Sequence, residues 1–182
     1  MNFAVIGSGG REHSICFKLK QSPKIKRLIC IPGNAGTKEI AENINININK
    51  FDEILAVIKK FEIDVVIVGP EEPLVNGIVD FLKNEGIRVL GPDKFSSQLE
   101  GSKAFMKNLC KENNIPTARF GIFEDFKSAC DFLSESKTPI VVKADGLAAG
   151  KGVSICNNQN EAKIKIKEII EGKYKSSKKV VL

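Results

Sequence analysis

The densest chemistry in the sequence lies in Ile140-Val141-Val142-Lys143-Ala144-Asp145-Gly146-Leu147-Ala148-Ala149-Gly150-Lys151-Gly152-Val153. Small residues interrupted by lysines suit the oxygens of a phosphate chain, because a bare backbone approaches closely while ammonium groups balance the charge. The segment differs from a P-loop. Three residues rather than four separate its first two glycines, and Gly152 stands where a magnesium-binding Ser or Thr belongs. Val153 to Cys156 then reads as a strand, so the expected unit is a strand–glycine loop–strand hairpin that closes over phosphates. Lys143 projects from the strand and Lys151 from the loop as cations for a transferring phosphoryl group.

Three further loops could bind anions. The first is Gly7-Ser8-Gly9-Gly10-Arg11-Glu12-His13, between a strand and a helix. Its glycines permit a tight turn and present N–H groups to an anion, with Arg11 as charge partner. The dinucleotide fingerprint is only half met, because Glu12 takes the third glycine position. The acidic residue expected after the second strand is replaced by Cys30-Ile31-Pro32. The phosphate of a smaller ligand fits better than a nicotinamide dinucleotide. The other two loops are Pro32-Gly33-Asn34-Ala35-Gly36-Thr37 and Gly69-Pro70-Glu71-Glu72-Pro73-Leu74. In a parallel sheet all three follow strand carboxyl ends and converge on one crevice. The single histidine, His13, stands beside that loop with its role open.

The positioning elements follow from hydrophobic period. Strands are expected at Phe3–Ile6, Leu28–Ile31, Val65–Val68 and Arg88–Leu90, with Val65–Val68 buried on both faces. The Ile/Asn alternation over 44–49 predicts another strand with one wet side. Helices are expected at Arg11–Lys20, at Asp52–Phe61 with Asp52 as cap, and at 74–84. This βαβ rhythm predicts an open, mostly parallel sheet covered by helices. Beyond Gly91-Pro92 the pattern changes to helix 102–111, a short strand near Phe120, helix 125–135, strands Ile140–Lys143 and Val153–Cys156, helix 160–171 and a strand from Val180.

Composition excludes several classes. Of 182 residues, 42% are hydrophobic and 27% charged, which rules out disordered and fibrous chains. No apolar run reaches the ~18 residues of a membrane span. The N-terminal MNFAVIG lacks signal-peptide features, so a cytoplasmic, soluble protein is expected. Five cysteines without ligand spacing and one histidine argue against zinc. The net charge of +6 resides in residues 101–182, which hold 15 basic and 9 acidic residues. Seven lysines between Lys163 and Lys179 are spaced as a solvated helix face, so small phosphorylated ligands explain the charge better than nucleic acid.

With GSGGREH, PGNAGT, VGPEEPL, GPDKFSSQLEGSKAFMK, NNIPTA and VVKADGLAAGKGV in order, the chain resembles the glycinamide ribonucleotide synthetases (phosphoribosylamine–glycine ligases) over essentially its whole length. The order and spacing of these motifs separate it from ATP-grasp relatives such as biotin carboxylase. The resemblance implies an α/β fold: a Rossmann-like preATP-grasp domain over 1–100, the start of an ATP-grasp domain over 101–122, and a glycine-loop subdomain over 123–182. It implies ligation of glycine to 5-phosphoribosylamine with ATP converted to ADP and phosphate. The family pattern places phosphoribosylamine on Gly9, Gly10, Arg11, Pro32, Gly33, Asn34 and Glu71. It places ATP on Lys103 and Lys143, with Asp145, Gly146, Leu147, Ala148, Ala149, Gly150, Lys151 and Gly152 closing over the nucleotide; Lys143 and Lys151 are the expected catalytic cations. Magnesium or manganese ligands are expected beyond residue 182, in a chain more than twice as long, and these residues alone are expected not to turn over. A monomer acting on small molecules, with neither membrane nor nucleic acid as partner, is implied. Two alternatives stay open: another ATP-grasp carboxylate–amine ligase, or a non-catalytic sugar-phosphate-binding module.

Overall fold

The computed structural model describes residues 1–148, 150–174 and 177–182. They form two compact units, Met1–Ser97 and Gln98–Leu182.

In the first unit, β1 (Asn2–Gly7), β2 (Arg27–Pro32), β3 (Glu42–Asn43), β4 (Val65–Val68) and β5 (Arg88–Leu90) make a fully parallel sheet in the order β3-β2-β1-β4-β5. The chain winds outward from β1 to β3, then crosses to the other side for β4, so the direction of winding switches between β1 and β4. Alternation along the strands sorts side chains to two faces. Val5, Leu28 and Cys30 meet Cys16 of α1 (Gly10–Lys20) on one face. Ala4, Ile6, Ile29, Ile31, Val66 and Val68 form the larger core on the other. That core is closed by Ile54 and Ile58 of α2 (Phe51–Lys60), Leu74 of α3 (Glu71–Val75), and Ile78, Val79 and Leu82 of α4 (Ile78–Asn84).

Four expectations are corrected here. Only Glu42–Asn43 pairs with β2, and residues 44–49 form no ladder beyond a single bond from the Ile44 N–H to the Cys30 carbonyl (3.0 Å). Ile44, Ile46 and Ile48 still face the core, so burial rather than strand pairing explains the alternation. Lys50, not Asp52, occupies the N-cap of α2, and Asp52 lies in the first turn, where its charge meets the helix dipole. The 74–84 helix is two helices, broken at Gly77, whose φ of 93° an α-helix does not accommodate. β4 is fully buried only on the α2/α4 side; Val65 and Ile67 are half-buried because α1 packs over β1 and β2.

The second unit opens with α5 (Gln98–Gly101) and α6 (Lys103–Glu112). β6 (Ile122–Phe123), β7 (Ile140–Ala144), β8 (Val153–Cys156) and β9 (Val180–Val181) follow as an antiparallel sheet ordered β6-β9-β7-β8. The strand expected near Phe120 therefore lies two residues further on. α7 (Phe126–Ser134) and α8 (Gln159–Ile170) cover one sheet face, with Ala129, Leu133, Ala162 and Ile166 buried against Val142, Ala144 and Val180. Asp125 and Asn158 cap these helices, accepting the N–H of Ser128 and Glu161 respectively. Among the described residues no helix is long and apolar enough to cross a membrane.

Candidate functional site

Two clusters carry the polar chemistry, one in each unit.

In the first unit the three loops meet at the carboxyl ends of β1, β2 and β4. The Gly33 N–H donates to the Gly7 carbonyl (3.1 Å), and the Gly69 N–H donates to the Ile6 carbonyl (3.0 Å). Asn34 ties two of the loops together, donating through Nδ2 to the carbonyls of Ser8 (2.9 Å) and Gly9 (3.4 Å). Its Oδ1 accepts the N–H of buried Thr37 (2.9 Å), whose hydroxyl accepts the Asn34 N–H (2.7 Å) and donates to Asn43 (2.9 Å). Arg11 approaches Glu71 at 3.5 Å from the neighbouring loop. Thus Gly9, Gly10, Arg11, Gly33, Asn34 and Glu71 gather on one rim, with Pro32 at the end of β2. Gly9, Gly10, Arg11 and Glu71 are solvent-exposed.

Glu12 explains why the dinucleotide fingerprint fails. Its side chain is buried, and its carboxylate accepts the Gly9 N–H at 2.6 Å and the Arg11 Nε–H at 3.2 Å. A methyl group on either Gly7 or Gly69 would collide with that carboxylate. Glu12 therefore fills the space at the sheet's switch point, where a dinucleotide pyrophosphate would sit on the bare helix end. The unmatched third glycine signals this carboxylate in the sequence, although its inward orientation does not follow from spacing. His13, by contrast, lies over Gly36, whose hypothetical Cβ would meet the ring at 2.9 Å.

The second cluster surrounds the hairpin of β7 and β8, which pair from Ile140↔Cys156 to Lys143↔Val153. Gly146 (φ 81°) and Gly150 (φ 76°) take left-handed conformations that permit the loop's turns. The Tyr174 hydroxyl holds the loop's return by donating to the Lys151 carbonyl (2.8 Å), and the Ala144 N–H donates to the Gly152 carbonyl (2.7 Å). Ala149 lies outside the described residues. Leu147, Ala148 and Gly152 complete the loop, and Lys151 is exposed on its return.

Asp145 belongs to the framework of this cluster. It is 8% exposed and accepts the Ser102 hydroxyl (3.1 Å) and the Ala104 N–H (3.1 Å), so its carboxylate occupies the N-terminus of α6. Ser102 in turn caps α6 by accepting the Phe105 N–H (3.0 Å). This clamp fixes Lys103, which donates to the Gly146 carbonyl at 2.8 Å. α6 thereby brings Lys103 to the loop's hinge and within electrostatic reach of Lys143. Burial lowers the Lys143 ammonium from its ordinary value, and Lys107 and Lys103 lower it further. Sequence reading missed Lys107, although its position four residues after Lys103 places both on one helix face. A cleft of about 500 Å³ opens here, lined by Lys107, Arg119, Phe132, Val141, Lys143 and Leu182 among others. None of Lys103, Lys107 and Lys143 forms an ion pair among the described residues. Lysines gathered without carboxylate partners make an environment that suits an anion.

Family models match along the whole chain. The model described as "Phosphoribosylglycinamide synthetase, N domain" matches residues 1–100, and "Phosphoribosylglycinamide synthetase, ATP-grasp (A) domain" matches residues 101–182. The phosphoribosylamine–glycine ligase of Clostridium acetobutylicum is 44% identical over all of this chain and 44% of its own length. That of Mesorhizobium japonicum is 45% identical over 96% of this chain and 41% of its own length. The crystal structure of phosphoribosylamine–glycine ligase from Thermotoga maritima superposes with a TM-score of 0.81 at 31% identity, covering all of this chain and 43% of that one. The biotin carboxylase domain of the Hydrogenobacter thermophilus 2-oxoglutarate carboxylase shares the fold, with a TM-score of 0.77 at 19% identity over 99% of this chain and 43% of that one. The chain thus spans less than half the length of these relatives. From the glycine rim of the first unit to the lysine-lined hairpin of the second, its 182 residues belong to the phosphoribosylglycinamide synthetase family.

Proposed function

We propose that this chain supplies the phosphoribosylamine rim and the ATP-phosphate lysines of an ADP-forming ligase that joins glycine to 5-phosphoribosylamine in purine biosynthesis. The observation that carries the proposal is that Lys107 and Lys143 share one cleft while Lys103, within electrostatic reach of Lys143, holds the glycine loop at Gly146, none of the three with a carboxylate partner among the described residues. In the reaction, a glycine carboxylate oxygen attacks the γ-phosphorus of ATP, giving an acyl phosphate and ADP. The amine nitrogen of phosphoribosylamine then attacks the acyl carbon, expels inorganic phosphate and loses a proton. Lys103 and Lys143 offset charge on the transferring phosphoryl group, and the 146–152 loop excludes water. Gly9, Gly10, Arg11, Pro32, Gly33, Asn34 and Glu71 hold the ribosylamine. Within the second unit, residues 101–122 lead into the glycine-loop subdomain of 123–182. We further propose a cytoplasmic monomer.

A divalent metal shields the ATP phosphates in such a transfer. Among the described residues no group of three or more His, Cys, Asp or Glu could hold one, so no metal ligand is assigned here and no step is derived through the ion.

The test is ADP release from ATP and glycine by a protein that carries these residues within the relatives' full length. Release that depends on phosphoribosylamine supports the proposal. Equal release with and without it overturns the substrate assignment, and acceptance of unrelated amines favours a different carboxylate–amine ligase.

A further inference from the structure

The Lys107 ammonium is enclosed in a way that its neighbours are not. The residue is 7% exposed, and its Nζ donates to Thr117 Oγ1 at 2.6 Å and to the Ala118 carbonyl at 3.5 Å. It also lies 5.5 Å from the centroid of the Phe120 ring. All three partners sit on the 117–120 segment that follows α6, and Ala118 lines the same cleft as Lys143. A buried ammonium satisfied by neutral oxygens and a ring, rather than by a carboxylate, keeps its full positive field. Among the described residues, other charged groups surround Lys143. Lys103 and Lys107 face it from α6, and Arg119, Glu135 and Lys137 line the cleft with it. The only acid of that set, Glu135, is exposed and lies 3.6 Å from Arg119. Asp145, two residues on and just past the end of β7, is turned toward the α6 N-terminus.

Resting on the ATP reading of this cleft, we propose that Lys107 is a positioning residue for Lys143. It fixes the 117–120 wall through Thr117, Ala118 and Phe120, and it holds a second positive charge beside Lys143 that only an incoming polyanion neutralises. The free cleft therefore carries unrelieved like-charge repulsion, and a phosphate chain gains the energy of relieving it. Lys143 makes the contact; Lys107 sets how strongly that contact pulls.

The test uses this chain and two readouts. The first is the rate at which Lys143 is acylated by a dilute amine reagent at pH 8, followed peptide by peptide by mass spectrometry and normalised to exposed Lys18. Only the neutral amine reacts, so raising the ammonium's stability slows labelling. Lys107→Met is expected to lower Lys143 labelling about threefold or more, the order of one nearby like charge removed under partial screening. Lys107→Arg is expected to restore the wild-type rate. Unchanged labelling in Lys107→Met overturns the proposal, as does failure of arginine to rescue it. If circular dichroism shows Lys107→Met unfolded, Thr117→Val decides instead. With its main anchor removed the Lys107 ammonium leaves the wall, and Lys143 labelling must fall; an unchanged rate again overturns the proposal.

The second readout is calorimetric binding of inorganic tripolyphosphate, the probe for the phosphate chain. Wild type is expected to bind, and Lys107→Met to bind at least about tenfold more weakly. Absence of binding to wild type counts against the nucleotide reading of the cleft, while the labelling result still judges the coupling of the two lysines.

Discussion

Replacing Asp145 with alanine separates a framework role from a ligand role. In the structure its carboxylate accepts the Ser102 hydroxyl and the Ala104 N–H, both at 3.1 Å, and the residue is 8% exposed. Truncation leaves both donors without that acceptor and takes a negative charge from the N-terminus of α6. A buried donor left unsatisfied costs about 1–3 kcal/mol, and the lost charge–dipole attraction adds roughly 0.3–1 kcal/mol. The terms are not additive and the buried charge's own desolvation is recovered, so about 2–4 kcal/mol is expected. The second unit has ~85 residues, and at roughly 4–8 °C per kcal/mol its melting temperature should fall by about 10–25 °C. Tyrosine fluorescence isolates this unit, because Tyr174 is the one tyrosine of the sequence and there is no tryptophan. Asp145→Asn keeps one acceptor oxygen and should lose about half as much. A melting temperature within about 3 °C of wild type, together with weakened tripolyphosphate binding, would refute the clamp and make Asp145 a ligand contact.

Three further outcomes are expected. Gly69→Ala puts a methyl group into the buried Glu12 carboxylate, so urea unfolding should show a loss of about 1–3 kcal/mol, and an unchanged midpoint would mean that Glu12 yields freely. Lys143→Met should raise stability at pH 7 while weakening tripolyphosphate binding. The folded Lys143 ammonium titrates below its ordinary 10.5, so the unfolded chain binds more protons between the lowered value and 10.5, and wild-type stability recovers as pH rises through that window. The mutant's advantage, read from melts across pH 7–11, should therefore shrink with pH. Finally, of five free cysteines, Cys16, Cys30 and Cys156 are buried and Cys110 and Cys130 half-buried. Burial raises the Cys130 and Cys156 thiols. A native thiol titration should thus show Cys110 reacting first and the three buried thiols only on unfolding.

Much of this protein was legible in the residues alone. The β-branched runs at Val65–Val68 and Ile140–Val142, the glycine-bounded loops and the lysine at 143 place the strands, the turns and one of the cations, because period and backbone freedom are local properties, whereas Lys103 came only from the family resemblance. Local pattern also misled. The Ile/Asn alternation at 44–49 reports which side chains are buried and says nothing of whether a partner strand is present, and Gly77 divides a helix whose apolar period continues through it. What only the tertiary structure decided is where charge ends up. Glu12 turns inward because the bare backbones of Gly7 and Gly69 leave room for its carboxylate. Asp145 reads as a loop residue, yet it caps a helix that begins 42 residues before it. Lys107 reads as one helix lysine among several, yet Thr117 and Phe120 enclose its ammonium beside Lys143. Spacing along a chain fixes neighbours within a helix turn or a strand pair. The field at a site is a sum over groups that folding alone brings together.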